Sequence, residues 1–135
     1  MERNVKNNLI DLKEVVASDG NLVVTEVEQT LPFPVKRVFW IFNTPDKAVR
    51  ADHASKNSDF VLICLNGQLT VELDNGKEKE KYHLNSSNVA LYIPRMVWMR
   101  VYDFSENAIL LVLASEKYAA DQYCEDYNLF LKEKC

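Results

Sequence analysis

One of the two histidines in this 135-residue chain lies in a segment whose residue types fit acid–base chemistry. The segment VRADHASKNSDFVLICLNG, residues 49–67, places Arg50 and Lys56 beside His53, just before an apolar run. Histidine titrates near neutral pH, and nearby positive charges favour the neutral form that accepts protons. The segment therefore indicates a general base. It is equally compatible with a loop histidine that makes structural hydrogen bonds.

Two arginines are candidates for binding an anion, because the guanidinium fork matches phosphate oxygens. Arg50 lies three residues before His53, where a phosphate is the more attractive partner. Arg37 lies inside an apolar stretch, where an unpaired charge is costly. The Arg37 side chain could bind a phosphate, or it could form a surface salt bridge with one of the chain's 20 acidic residues.

A metal site is not expected. A metal-binding barrel of the kind considered below needs a His-x-His pair, a nearby carboxylate and a further histidine on a later strand. The corresponding positions here are His53, Ser55, Asp59 and Met99, which hold a divalent ion poorly. The other histidine, His83, lies in a charge-alternating stretch and is expected to be exposed.

The elements that must position these residues are predicted to be short strands. Asp74-Asn75-Gly76 favours a tight turn, and the charges that follow it are typical of a solvated edge strand. Strands spaced about ten residues apart favour a sandwich or barrel. The strand-like ranges are 19–27, 33–42, 59–65, 66–73, 74–84, 88–94, 97–104 and 108–115.

The last twenty residues have helical residue types. Tyr123, Tyr127 and Phe130 recur at i, i+4 and i+7, which predicts a helical stripe packed against the barrel.

The length, charge and cysteine content of the chain narrow the classes of protein to which it could belong. The length predicts a single domain over residues 1–135, and the net charge of −4 argues against a nucleic-acid binder. The N-terminus lacks a signal-peptide pattern, and no window has the length of a membrane span. Cys64, Cys124 and Cys135 show no paired spacing and are interpreted as reduced thiols. A cytoplasmic protein that does not bind membranes is therefore expected.

The ordered blocks KRVFWIF, VRADHASK, VLICLNG, LYIPRMVW and DYNLFL resemble those of the small cupins called WxcM-like, which are nucleotide-sugar 3,4-ketoisomerases. The resemblance runs from about residue 5 to residue 131. It implies an all-β fold, an antiparallel cupin jelly-roll barrel with a short C-terminal helical segment. It also implies a homodimer with exchanged N-terminal strands, a dTDP-linked sugar ligand and no metal or redox cofactor.

Compared position by position, the family pattern Arg-Gly-x-His-x-His-Lys becomes Arg50-Ala51-Asp52-His53-Ala54-Ser55-Lys56. The resemblance implies that His53 is the catalytic base, and that Ser55 replaces a second histidine linked to proton shuttling. Phe39 replaces a tyrosine near the sugar, Met99 replaces a histidine or arginine, and Asp19 replaces an arginine or tyrosine. The implied substrate-binding residues are Arg37, Phe39, Arg50, Ser55, Lys56 and Met99.

Two functions follow. The first is isomerisation of a dTDP-linked 4-keto-6-deoxyhexose to its 3-keto form by metal-free proton transfer, in deoxysugar and lipopolysaccharide biosynthesis. The second is a nucleotide-sugar-binding cupin whose isomerase activity is lost or altered, because serine cannot replace imidazole as a proton relay at neutral pH. A metal-dependent oxygenase or epimerase is disfavoured because the ligands are missing, and a His-Asp epimerase dyad cannot be placed.

Overall fold

The structure, a computed structural model, describes residues 3–135. The described part of the chain contains twelve strands, one turn of 3-10 helix at Ala120–Gln122 and one short α-helix, α1, at Tyr127–Leu131. The strands are β1 Leu9–Asp11, β2 Lys13–Ala17, β3 Gly20–Val24, β4 Arg37–Phe42, β5 Arg50–Ser55, β6 Phe60–Asn66, β7 Leu69–Asp74, β8 Lys79–Leu84, β9 Val89–Ile93, β10 Trp98–Tyr102, β11 Ile109–Ala114 and β12 Tyr123–Cys124.

Two five-stranded antiparallel sheets face each other around the main core. One has the order β1-β9-β6-β11-β4, and the other has the order β12-β5-β10-β7-β8. The predicted all-β, cupin-like jelly roll is therefore confirmed. The sequence had not indicated strands at β1, β2 or β5, and β5 is the strand that carries His53.

Side-chain alternation explains why these segments form sheet. In β7, Leu69, Val71 and Leu73 are fully buried, whereas the residues between them face outward. Residues 60–64 of β6 are all buried because they pack into cores on both faces of their sheet.

The hairpin between β7 and β8 forms as predicted. Asp74 Oδ1 accepts a hydrogen bond from the Gly76 backbone N–H at 2.7 Å, and Asn75 Oδ1 accepts from Lys77 and Glu78 at 2.9 Å. Gly76 has a φ of +90°, which suits glycine. The charged strand β8 is the edge of its sheet, as expected, and His83 on it is exposed.

The hairpin of β2 and β3 forms a separate two-stranded sheet. It carries exposed apolar side chains, of which Val16 is 73% and Leu22 60% exposed. The edge strand β4 carries a second apolar surface, and its outward-facing Val38, Trp40 and Phe42 are each at least half exposed. Within residues 3–135, neither surface is covered.

The predicted helical stripe at the C-terminus is wrong for one of its three residues. Tyr123 lies in β12 and pairs with Ser55 of β5, so the backbone there is extended. Helix α1 starts later, where the Asp126 side chain accepts a hydrogen bond from the Leu129 N–H at 3.1 Å. Tyr127 and Phe130 pack against Trp98 with ring centroids 5.2 and 5.4 Å apart, so their predicted packing role is confirmed. No helix among the described residues is long and apolar enough to cross a membrane.

The interpretation of all three cysteines as reduced thiols is also wrong. Cys124 and Cys135 form a disulfide, and only Cys64, which is buried, remains free among the described cysteines. Helix α1 reverses the chain and brings the two Cα atoms to 5.5 Å, within the usual range for a disulfide. The sequence separation of 11 gave no indication of this reversal. Because Cys124 and Cys135 are not reduced thiols, the cysteines no longer support the expectation of a cytoplasmic protein.

Candidate active site

A cavity of about 310 Å³ opens between the two sheets, and His53 lies in its wall. Most of the lining is apolar, and the polar groups are one histidine, one arginine, one glutamate and two tyrosines. This composition is typical of a small-molecule site. The lining residues are Phe39, Ile41, Arg50, Ala51, His53, Phe60, Leu62, Met99, Val101, Leu110, Val112, Tyr118, Tyr123 and Glu125.

A β-bulge in β5 determines which of its side chains face the cavity. Met99 of β10 is paired with His53, but the next residue, Arg100, is paired with Ala51, so Asp52 is an extra residue. In a regular strand, residues 50 and 53 point to opposite faces. The extra residue restores Arg50 to the His53 side, and both line the cavity.

The bulge has an unusual backbone and an external anchor. Ala51 and Asp52 have φ values of +67° and +57°, in the left-handed region. The Asp52 carboxylate points away from the cavity, where it accepts a hydrogen bond from Trp98 Nε1 at 3.0 Å and pairs with Arg100 Nε at 3.4 Å. Strained residues next to a functional side chain are a recurring feature of active sites.

The His53 ring packs on the Tyr123 ring at 4.3 Å between centroids. Its Nδ1 atom is buried and has no hydrogen-bond partner among the described residues. Burial lowers the pKa of His53 below 6.5, and the carboxylates of Glu125 and Asp52 oppose this shift only in part. The imidazole is therefore neutral at neutral pH and able to accept a proton.

Phe39 and Met99, the two apolar residues singled out in the sequence comparison, both line the cavity. Met99, opposite His53, is 5% exposed, and Phe39 of β4 lies on the facing sheet. Both positions supply apolar surface to the cavity that His53 lines. This surface contributes to the low polarity that keeps His53 neutral.

Ser55 and Lys56 do not line the cavity. Ser55 is 2% exposed, and its hydroxyl accepts a hydrogen bond from the Ser58 N–H at 3.0 Å. The Lys56 backbone N–H donates to the Gln122 carbonyl at 2.7 Å, which ties the end of β5 to the C-terminal segment.

Arg37 is held among aromatic rings beside the cavity and does not line it. Its Nη2 donates to the Tyr123 hydroxyl oxygen at 3.1 Å, and its guanidinium lies 5.1 to 5.9 Å from the ring centroids of Phe39, Tyr118 and Phe60. Its Nε is buried without a hydrogen-bond partner among the described residues. No ion pair involves Arg37 in the part of the chain that the structure describes, so the surface salt bridge considered above is absent there.

Sequence reasoning missed the part of the site that the C-terminal segment supplies. Tyr118, Tyr123 and Glu125 all line the cavity. The pairing of β12 with β5 carries Tyr123 and Glu125 there. Two-residue strands give almost no pattern of their own, and the tyrosine spacing favoured a helix instead. Across residues 3–135, no three His, Cys, Asp or Glu side chains converge as a metal-binding group.

Comparison with known proteins identifies relatives over nearly the whole chain. The family model FdtA (WxcM-like, C-terminal) matches residues 5–135. A TDP-4-oxo-6-deoxy-alpha-D-glucose-3,4-oxoisomerase from Aneurinibacillus thermoaerophilus is 38% identical over 128 residues, which cover 95% of this chain and 92% of that protein.

Two crystal structures show the same architecture at similar identity. QdtA, a sugar 3,4-ketoisomerase from Thermoanaerobacterium thermosaccharolyticum in complex with TDP, has a TM-score of 0.91, 36% identity and 96% coverage of each chain. WlaRA, a TDP-fucose-3,4-ketoisomerase from Campylobacter jejuni, has a TM-score of 0.88, 37% identity and 94% coverage of each chain.

Proposed function

We propose, since the chain belongs to the FdtA (WxcM-like, C-terminal) family, that it isomerises a TDP-linked 4-keto-6-deoxyhexose to the 3-keto sugar. The observation that carries this proposal is the neutral His53 in a mostly apolar cavity, with Arg50 on the same wall. The similarity to TDP-sugar ketoisomerases along 94–96% of the chain supports the substrate class. Residues 1–135 form one domain in this proposal.

The proposed chemistry needs a base next to an activated carbon. His53 removes the proton from C3, which is acidified by the adjacent C4 carbonyl, and the proton is returned at C4. Because the imidazole is already neutral, the reaction does not first require loss of a proton from the enzyme. The apolar wall formed by Phe39 and Met99 excludes water from the enediol-like intermediate.

Arg50 is the proposed nucleotide-binding arginine. It is exposed and lines the cavity, and its guanidinium forms no hydrogen bond or ion pair with the other described residues, so its fork is free for a diphosphate. Arg37 already donates to Tyr123, and we assign it a role in holding the cavity wall. Lys56 lies outside the cavity and is proposed to add only long-range positive charge for the nucleotide.

The experiment is incubation with TDP-4-keto-6-deoxyglucose in deuterated water, followed by NMR at C3. We expect deuterium incorporation and 3-keto product from the wild type, and a rate about 10²–10⁴ lower for His53→Asn. His83→Asn is the matched control, since His83 is exposed on the edge strand β8. Tight TDP binding without exchange or product would contradict the isomerase and support the binding protein that the sequence left open.

The proposed assembly is a homodimer with exchanged N-terminal strands. The exposed apolar side chains of the β2–β3 hairpin, such as Val16 and Leu22, need a cover. The apolar face of β4, with Trp40 at 59% exposure, offers a matching surface on a second copy. Val16→Lys together with Trp40→Lys is expected to yield monomers by light scattering, and dimers of this variant would count against the exchange.

The proposed setting is deoxysugar and lipopolysaccharide biosynthesis in the cytoplasm. A 3-keto sugar carries an electrophilic carbonyl, so the proposed product suits a following aminotransferase. Deletion of the gene is expected to remove an amino- or acylamino-sugar from the cell-surface polysaccharide, as measured by sugar analysis. Fractionation of the source cells tests the compartment.

A further inference from the structure

We propose that Tyr123 is a second catalytic residue, a phenol that carries the proton between the two oxygens of the keto sugar. This inference rests on the proposed isomerase function. It addresses the need for a second proton carrier, because His53 is the one histidine in the cavity lining and Ser55 does not line the cavity.

Tyr123 lies directly across the sheet from Ser55. The two residues are register partners in the β12–β5 pair, so their side chains are neighbours on the same face. The Ser55 hydroxyl is buried and engaged by the Ser58 N–H, whereas Tyr123 lines the cavity. The tyrosine therefore places a hydroxyl group at the cavity beside Ser55, whose own hydroxyl is engaged elsewhere.

The contacts of Tyr123 place its hydroxyl for proton transfer. Its ring packs on His53 at 4.3 Å between centroids, so both groups border the same space. Its oxygen accepts a hydrogen bond from Arg37 at 3.1 Å. Arg37 donates only, so the phenolic hydrogen stays free for the substrate. The guanidinium charge also stabilises the negative charge that the oxygen gains in the transition state.

The steps balance without any other reagent. His53 takes the C3 proton, the C–H pair forms the C3=C4 double bond, and the carbonyl oxygen O4 takes the proton of Tyr123. The phenolate then takes the proton from the O3 hydroxyl, and the O3 pair forms the C3=O3 carbonyl. The C3=C4 pair takes the proton from the His53 imidazolium at C4. Both residues return to their starting states.

The test compares Tyr123→Phe with the wild type on TDP-4-keto-6-deoxyglucose. Phenylalanine keeps the ring beside His53 and removes only the hydroxyl. We expect kcat to fall about 10²–10⁴-fold, with TDP affinity unchanged. Tyr102→Phe is the matched control, because the Tyr102 hydroxyl bonds Glu72 at 3.3 Å away from the cavity and its loss should leave kcat unchanged.

A second variant separates catalysis from structure. With 3,5-difluorotyrosine at position 123, ring and hydroxyl remain but the phenol is a stronger acid. We expect the alkaline limb of the kcat–pH profile to move to lower pH, which a purely structural role would not cause. Wild-type kcat in Tyr123→Phe, or an unmoved limb, overturns the inference and leaves the isomerase intact. A wild type that makes no 3-keto product overturns both.

Discussion

Arg50 and His53 face the same cavity because Asp52 is an extra residue between them in β5. The bulge thus joins the proposed phosphate ligand and the proposed base on one wall. It also requires Ala51 and Asp52 to adopt left-handed backbone angles. Two consecutive non-glycine residues in this region carry a cost in folding free energy that the anchor of Asp52 on Trp98 must offset.

Ala51→Gly is expected to stabilise the protein. Glycine adopts the φ of +67° without the steric cost that alanine bears. We expect the free energy of unfolding to rise by about 0.5–1 kcal/mol, and the Tm by about 2–5 °C. Thermal unfolding measures the change, with Ala17→Gly in the exposed strand β2 as a control that should destabilise. A lower Tm for Ala51→Gly would show that its Cβ contacts outweigh the backbone cost.

The pH dependence of kcat/KM is expected to follow His53. A base works when it is unprotonated, so activity rises with pH through its pKa, and burial places that pKa below 6.5. The acid limb should therefore lie below pH 6.5. Because the Glu125 carboxylate raises this pKa, Glu125→Gln should move the limb to still lower pH. Asp121→Asn, an exposed residue outside the cavity, serves as control. An acid limb at the same pH in Glu125→Gln and in the wild type would contradict the effect of the Glu125 carboxylate on the pKa of His53.

Tyr127→Phe is expected to destabilise the fold without changing the cavity. The Tyr127 hydroxyl donates to Asp74 Oδ2 at 2.5 Å, and the Asp74 side chain is only 7% exposed. Loss of this hydrogen bond to a buried carboxylate should cost about 1–2 kcal/mol in urea unfolding.

The pKa of Tyr127 is raised to about 12, chiefly by that hydrogen bond. The resulting stabilisation is fully present below the ordinary tyrosine pKa of about 10 and is lost as the pH rises from there towards 12. Tyr127→Phe should therefore lose less stability than the wild type over that alkaline range. Equal losses in the two proteins would assign the effect to other groups.

Reduction of the Cys124–Cys135 disulfide is expected to loosen one wall of the cavity. The bond closes a short loop, and opening it should cost about 2–3 kcal/mol of stability. Cys124 lies between Tyr123 and Glu125, so isomerase activity should fall as well. Dithiothreitol should lower the Tm of the wild type and leave that of Cys135→Ser unchanged. An equal decrease in Tm for both proteins would show that the effect of dithiothreitol does not come from this disulfide.

The barrel was predictable from the sequence, and so was the interest of His53, which lies in the cavity wall. Apolar strands such as β6 and the Asp74–Gly76 turn agree with the structure. These features depend on local patterns of two to ten residues. Phe39 and Met99, which the sequence comparison singled out, both line the cavity.

The remaining features of the candidate site depend on contacts between residues that are far apart in the sequence. The bulge at Asp52 exists only in the pairing of β5 with β10, and nothing local distinguishes it from a loop. Tyr123 enters the site because β12 pairs with Ser55, far away along the chain. Ser55 shares the segment of His53 but is turned into a hydrogen bond with Ser58. Proximity in sequence therefore grouped Ser55 with His53, although Ser55 does not line the cavity, and it missed Tyr123, which does.

The C-terminal segment is joined to the barrel through the pairing of β12 with β5. The final part of the chain, from Tyr118 onward, supplies part of the wall facing His53 while contributing little to the main barrel core. Tyr118 and Glu125 of this segment line the cavity without belonging to a buried core cluster, so substitutions at these two positions can alter the reaction environment without removing core packing. Exchange of these two wall residues is thus a route by which new sugar specificities can be engineered on the same barrel.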